Sequence, residues 1–582
     1  MRRDEKISMI DILIRGATVI DGTGRKGFRA DVGIQGDRIA EVGNLASSPA
    51  REVLNAEGKA VCPGFINIHA HDDLYVSRPD YQRLFEPYLR QGITTTVVSN
   101  CGWSPAPWFP KNGHILKGLL FSMGIASDAG PEWETQGEFH QYLQARGLPM
   151  NFMPLAAHGP IRIAVMGEEN RFSTPSELGE MKTLVRKGLE AGCWGFSTGL
   201  TYFPGVYAHT DEIVELARVA GEMGGRYATH VRGHSSTYPL AVEEALEIGR
   251  LSGCGVQLAH VFCTPDLGPF ATPVYFLINV FEAVNRVVPL PGLPNGVLKK
   301  AIRKVDEALE RGQDVGMDFI PYVLGNTTVT QLFPPWANKG GTARLVERLR
   351  DPVTRARIRR DVETVKPRWP HWEEGSWPDN YIKFLGWQMV KVLSVTSDRN
   401  RAMEGQRIVD LARQAGKDPF EFIADLTVDE KGSVSFLFGL PPSPWTEKVF
   451  TSVQGHPALS VGADTIFAER GGDPPPSGYG CFPRILGHYV RDLGLYSVEN
   501  AVFRCTGLSA SRFGLKDRGK IEKGACADLV IFDPATVKDR ATLENPTVYP
   551  EGIEHVLLNG KWVVRESRTV QCPPAGRLLL RP

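Results

Sequence analysis

The chain has 582 residues, 66 Lys+Arg against 66 Asp+Glu, and 42% apolar residues. This is too long for one compact core, and balanced charge without a basic run gives no footprint for a nucleic-acid partner. No run of 18 apolar residues is present and no apolar signal core follows Met1-Arg2-Arg3-Asp4-Glu5-Lys6, so the expectation is a cytoplasmic protein with no membrane partner, homo-oligomerisation being left open.

Residues 10 to 62 carry short apolar or alternating runs, Ile12-Leu13-Ile14, Ala17-Thr18-Val19-Ile20 and Asp31-Val32-Gly33-Ile34, separated by Gly-Asp and Asp-Gly turns. That pattern predicts a small antiparallel β-layer. Further on, strands alternate with helices. The helical stripe of residues 212–220 leads into Tyr227-Ala228-Thr229-His230, and that of residues 240–248 leads into Val256-Gln257-Leu258-Ala259. Such alternation predicts a parallel sheet, most simply a closed barrel.

Two stretches break the rhythm. Residues 265–300 are too long for an ordinary connection. Residues 333–390 carry Trp336, Trp369, Trp372, Trp377 and Trp387, and are expected to cover the barrel mouth; the alternative is a surface insertion with its own small core. Near the C-terminus, Ala527-Asp528-Leu529-Val530-Ile531-Phe532 and two runs flanking Asn559-Gly560 restore the β style, the Asn-Gly pair being a hairpin signal. The expected fold is therefore α/β: a metal-dependent (β/α)8 TIM barrel over residues 63–514, plus a small β-sandwich built from both termini, residues 1–62 and 515–582.

The nine cysteines are scattered with no CxxC pair, so most are expected reduced, with Cys193, Cys254 and Cys263 as small buried hydrophobes. Cys101 stands apart, because it closes the β-branched run that begins Thr94-Thr95-Thr96-Val97-Val98. His69 and His71, two apart after Gly64-Phe65-Ile66-Asn67-Ile68, point to one side if the strand continues. His230, His260 and Asp464 each end another apolar run. Imidazole, thiolate and carboxylate gathered at strand ends suit zinc, and catalytic groups of such barrels sit on that face. His158, after Leu155-Ala156-Ala157, is a further pocket or orienting candidate. His209 and His234 read as loop histidines. Ser197 in Gly195-Phe196-Ser197-Thr198-Gly199 matches a nucleophile elbow only superficially, since the context is a metal barrel.

These residues, with Asn100-Cys101-Gly102, Gly199-Leu200-Thr201-Tyr202-Phe203-Pro204-Gly205, Thr229-His230-Val231-Arg232 and Gly480-Cys481-Phe482-Pro483-Arg484, resemble the amidohydrolase superfamily, and within it the N-acyl-D-amino-acid deacylase branch. The resemblance implies a zinc hydrolase in which Cys101, His230 and His260 hold the tight metal. It implies that His69, His71 and Asp464 border a second, weaker position, and that Asp464 is general base and then general acid.

The chain also departs from that branch. Where the resemblance places a carboxylate-binding lysine, tyrosine and arginine, this sequence has Phe262, Ile320 and Ser477. Tyr202 remains, with Asn326 in place of a small hydroxyl residue. A carboxylate buried without a cation is unfavourable, so the expected small-molecule substrate is a neutral or apolar amide lacking a free carboxylate. The alternatives are an ordinary N-acyl-D-amino-acid deacylase, the same machinery on an ester, lactone or carbamate, and a non-catalytic scaffold.

Overall fold

A computed structural model describes residues 9–582 apart from 124, 126–130, 263–270, 294, 370–376 and 468–473. Eight parallel strands form the barrel wall: Phe65–Asn67, Ile93–Val98, Asn151–Pro154 (continued by Ala156–Ala157), Gly195–Gly199, Arg226–His230, Gly255–Leu258, Val315–Phe319 and Leu459–Val461. Neighbours pair in parallel from Phe65↔Ile93 round to Phe319↔Val461. The wall closes where Ile68 N–H donates to Val461 O at 3.4 Å and Asp464 N–H to His69 O at 3.1 Å. Asn67 ties the same seam, its Oδ1 accepting from Ala463 N–H at 2.9 Å. Strands buried on both faces have no polar face to alternate with, which is why Ile93–Val98, a continuous β-branched run, is buried along its whole length.

The helices follow from stripes and caps. Thr210–Glu222 buries Ile213, Leu216, Ala217 and Ala220 and carries Asp211 and Glu212 in its first turn, where a helix favours negative charge. Pro175–Glu190 opens on a capping box between Thr174 and Glu177 with proline at its first position. Tyr238–Ser252 ends at Gly253, in the left-handed conformation a helix terminus often needs. The stretch at residues 265–300, too long for an ordinary connection, contains the helix Ala271–Val287. Its outer face leaves Phe276, Val280 and Val287 exposed.

Strands from both ends of the chain share one nine-stranded sheet. Ala60–Pro63 pairs antiparallel with Leu529–Phe532 and so joins the two pieces. Val32, Ile34, Val61, Leu529, Ile531 and Leu557 lie in one core, which makes this the small β domain beside the barrel. The amino-terminal layer is mixed rather than antiparallel throughout: Ala50–Asn55 and Ala60–Pro63 both run parallel to Ile10–Val19, because loops, not hairpins, return the chain to that strand. The Asn559-Gly560 turn has positive φ at both residues (49° and 76°), as the hairpin between Ile553–Leu558 and Lys561–Arg565 requires.

The inserted cover is larger than expected. An antiparallel sheet of Leu324–Thr328, Val434–Gly439 and Val390–Val395 packs with helices Thr342–Arg350, Pro352–Thr364 and Pro419–Asp429 around a separate core. Two of those strands lie beyond the Trp-rich stretch. Trp377 is buried in this core, Trp336 and Trp387 pack against it, and Trp369 packs on the barrel core; Trp372 lies outside the described residues. Among the described residues no helix is long and apolar enough to cross a membrane.

Candidate metal centre

The loop after the first barrel strand is built to aim two imidazoles. His71 caps a short 3-10 turn, Asp72–Tyr75. The carboxylates behind it are held by the second strand and its end, Thr96 Oγ1 donating to Asp72 Oδ2 at 2.8 Å and Ser99 Oγ to Asp73 Oδ2 at 2.6 Å. Asp318 steadies two other candidates at once: its Oδ1 lies 3.3 Å from His69 Nδ1 and accepts from His260 N–H at 2.7 Å. A carboxylate behind a metal-binding imidazole fixes its ring orientation. The only sequence signal for Asp318 was an acidic residue inside the otherwise apolar strand Val315–Phe319.

The six candidate ligands converge. Cys101 Sγ lies 3.3 Å from His69 Nε2, 3.7 Å from His230 Nδ1 and 3.8 Å from His260 Nε2. Asp464 Oδ1 lies 3.2 Å from His71 Nε2 and 3.5 Å from His69 Nε2. Cys101, His260 and Asp464 all have positive φ (52°, 30° and 43°), as does Ser99 (63°). Such conformations cost roughly 1–3 kcal/mol each in non-glycine residues and gather at functional sites, where packing holds them. Here they turn the chain sharply inward just past a strand end. Glycines make room: a Cβ on Gly462 would stand 2.7 Å from His69 Cβ, and one on Gly199 would strike the Cys101 carbonyl and stand 2.8 Å from the Tyr202 ring.

The cluster is electrostatically coupled, anions against imidazoles. Burial pushes the Cys101 thiol up, but the facing His69, with His230 and His260, outweighs it and holds the thiol well below its ordinary value. Burial likewise raises Asp464, while His69, His71 and His260 bring it down to about 2. His230 is driven the other way, to about 3, by burial and then by His260. The same two anions hold His69, His71 (to about 9) and His260 up despite burial. Cys101, Asp464 and His230 thus already have the protonation a transition metal needs, while an ion would have to displace protons from the other three imidazoles. His71 Nδ1 and His230 Nε2 are buried without a hydrogen-bond partner, so the centre is not a saturated polar network of the protein alone.

The cluster opens into a cavity. His71, Cys101, His230, His260 and Asp464 form one end, with Tyr202, Phe262, Ile320 and Asn326 among the other lining residues. Trp103, Tyr381, Phe438 and Phe450 extend the apolar wall and carried no signal in the sequence. The cover contributes through its sheet, Leu324–Thr328, Leu393, Ser394, Ser435 and Phe438; none of its described tryptophans lines the cavity, Trp336, Trp377 and Trp387 instead packing in or against the cover's own core.

Three expectations about individual residues are revised. His158 is not a lining residue; its Nε2 pairs with Glu212 Oε1 at 2.9 Å, beside the buried Arg162, because the helix His158–Met166 turns the ring back against the wall. Ser477 lines a neighbouring cavity with Tyr322 and Arg484, since the helix Ser477–Arg484 begins there and its hydroxyl bonds Thr465 at 3.0 Å. His234, read as a loop histidine, lines the main cavity beside His230 and His260. Ser197 is a staple beneath the Cys101 turn, donating to Ser99 O at 2.5 Å and accepting from Gly102 N–H at 3.3 Å.

A parallel barrel with thiolate, imidazoles and carboxylate at its strand ends defines a metal-binding hydrolase of the (β/α)8 class. The amidohydrolase family model matches residues 52–250 and 401–564. D-aminoacylase of Alcaligenes xylosoxydans xylosoxydans is 32% identical over 573 residues, 98% of each chain, and the N-acyl-D-glutamate deacylase of the same organism is 32% identical over 580 residues, 98% of this chain and 97% of that one. The crystal structure of N-acyl-D-glutamate deacylase from Bordetella bronchiseptica, complexed with zinc and a phosphonate mimic of the tetrahedral intermediate, matches with a TM-score of 0.75 and 30% identity over 98% of this chain and all of that one. The chain belongs to the amidohydrolase family, hydrolases of carbon–nitrogen bonds other than peptide bonds.

Proposed function

We propose that this chain is a zinc-dependent hydrolase of a neutral or apolar amide that lacks a free carboxylate near the scissile bond. One observation carries the substrate reading: among the described residues lining the cavity there is no lysine or arginine, while Phe262, Phe319, Ile320, Leu324, Phe438 and Phe450 form its wall. Phe262 is packed between rings, stacked 5.5 Å from Phe450 and edge-on 5.9 Å from Phe438. Three candidate arginines are ion-paired: Arg232 with Glu244, Arg399 with Asp429, and Arg484 with Glu447 and Asp539.

Cys101, His230 and His260 would hold the tighter ion, with His69, His71 and Asp464 bordering the weaker position. Zinc bound there supplies Lewis-acid polarisation of a carbonyl and acidifies a water toward a pKa of about 7. Asp464, ionised and facing the cavity, takes the proton of the attacking water and returns it to the leaving nitrogen. Tyr202, kept protonated by burial and by the neighbouring Cys101, has its hydroxyl 3.4 Å from His230 Nδ1 and can donate to oxygen charge developing at that end. The apolar wall excludes water and fills against the rest of the substrate.

A second reading, deacylation of an ordinary N-acyl-D-amino acid, is favoured by the relatives at 32% identity. An ester, lactone or carbamate would use the same groups. Turnover of a panel of neutral amides, matched esters and N-acyl-D-amino acids by the zinc-loaded protein separates these readings; activity confined to the free acids would overturn the first.

A further inference from the structure

Three buried imidazoles face one another on the cover side of the centre. Their ring centroids are 4.4 Å apart for His230 and His260, 4.7 Å for His230 and His234, and 5.1 Å for His234 and His260. One nitrogen from each lies within 4.8 Å of the other two. His234 is 4% exposed, and neither of its ring nitrogens has a hydrogen-bond partner. Buried polar groups are nearly always partnered, so a fully buried imidazole with both nitrogens open beside two others points to a ligand.

The cover fixes this ring. His234 N–H donates to Asp379 Oδ1 at 2.8 Å, and Asp379 Oδ2 lies 3.8 Å from His234 Nδ1. Ser235 Oγ and Thr237 Oγ1 both donate to Pro378 O, at 2.6 and 3.0 Å. The ring also stacks on Tyr238, with centroids 5.3 Å apart. A carboxylate behind one ring nitrogen is the usual support for an imidazole that binds metal through the other.

We propose that His230, His234 and His260 form an all-imidazole position for a divalent transition ion, with Asp379 orienting His234. This position shares two ligands with the one assigned to Cys101, so an ion occupies one or the other. Losing the thiolate moves the ion instead of releasing it. The proposal goes beyond the reaction argued above and needs no step of it.

The test is cobalt(II) titration of the full-length, chelator-stripped protein, followed by absorption. Wild type is expected to show a thiolate-to-cobalt charge-transfer band. Cys101→Ser is expected to bind one equivalent of cobalt without that band. Adding His234→Ala to Cys101→Ser should weaken cobalt binding by well over tenfold, and adding Asp379→Asn by about tenfold or more. A folded Cys101→Ser protein that binds no cobalt overturns the proposal, as does a double variant that binds as tightly as Cys101→Ser alone. If the alanine variant does not fold, His234→Asn carries the same comparison. A wild-type protein without the charge-transfer band, but with His234-dependent binding, would support this position and overturn the Cys101 one, so the two readings fail separately.

Discussion

Asp464 Oδ1 stands 3.2 Å from His71 Nε2, across 393 residues of sequence and the seam where the barrel closes. The seam itself sets that distance: Asp464 N–H donates to the carbonyl of His69, so the carboxylate and the two imidazoles are carried by directly paired backbone. Asp464 is also the only carboxylate among the described residues lining the cavity. Asp464→Asn is therefore expected to retain the tighter metal and to lose about 10²–10⁴-fold in turnover, the usual contribution of a general acid–base group. Zinc content by elemental analysis and kcat together check this. A metal-loaded variant with near wild-type kcat would remove Asp464 from proton transfer.

Metal dependence is expected to be absolute. Chelation should abolish amide hydrolysis, and zinc should restore it with uptake of at least one equivalent. Binding requires deprotonated ligands, so affinity should fall with decreasing pH as imidazoles protonate. A protein with no transition metal and no response to added zinc would end the hydrolase reading.

Substrate charge offers the sharpest contrast. A hydrogen bond to a charged group contributes about 1.5–3 kcal/mol, so two missing carboxylate contacts amount to roughly 3–6 kcal/mol, or about two to four powers of ten in kcat/KM. Substrates with an amidated or absent carboxylate should outperform the matched free acids. The measurement is kcat/KM on such pairs. A clear preference for the free acid would mean that a basic residue, such as Arg484 of the adjoining cavity, reaches the substrate and that the ordinary deacylase reading stands.

Stability rests on a buried ionic network away from the metal. Glu212 meets Arg162 and His158, all three buried. Burial raises the Glu212 carboxyl, but His158 and Arg162 bring it down to about 2 from an ordinary 4.5. A folded-state pKa below the unfolded one stabilises the protein above pH 4.5, on the order of 3 kcal/mol here, and this is lost as pH falls toward 2. Glu212→Gln strands Arg162 and should cost about 3–5 kcal/mol at neutral pH. The deficit should shrink below pH 4.5. Thermal melts of both proteins from pH 7 to 3 measure it, and identical curves would refute it.

Gly462→Ala tests the close packing of the seam. Its added methyl would stand 2.7 Å from His69 Cβ, a backbone-anchored atom that cannot swing aside. Overpacking of this kind costs about 1–3 kcal/mol and should displace His69. Lower zinc affinity in a folded variant is the expected result; unchanged affinity would show that the seam relaxes.

Local pattern was enough to place the barrel strands that end near His69, Cys101, His158, His230, His260 and Asp464, the Asn559-Gly560 hairpin, and the convergence of His69, His71, Cys101, His230, His260 and Asp464; the strands Gly195–Gly199 and Val315–Phe319 were not singled out. A buried parallel strand leaves an unmistakable run of β-branched and apolar residues, and a polar ligand type at its end stands out against that run. Three things were decided only by packing in three dimensions. His234 joined the centre because Asp379, 145 residues later, captures its backbone. His158 left the pocket because Glu212 offered a buried partner. Part of the apolar wall, Leu324, Leu393 and Phe438, came from the cover's small sheet, whose strands Leu324–Thr328 and Val434–Gly439 are joined across more than 100 residues. Periodicity records which face of an element is buried; it holds no record of which distant element buries it, and a side chain in a loop takes its direction from that partner.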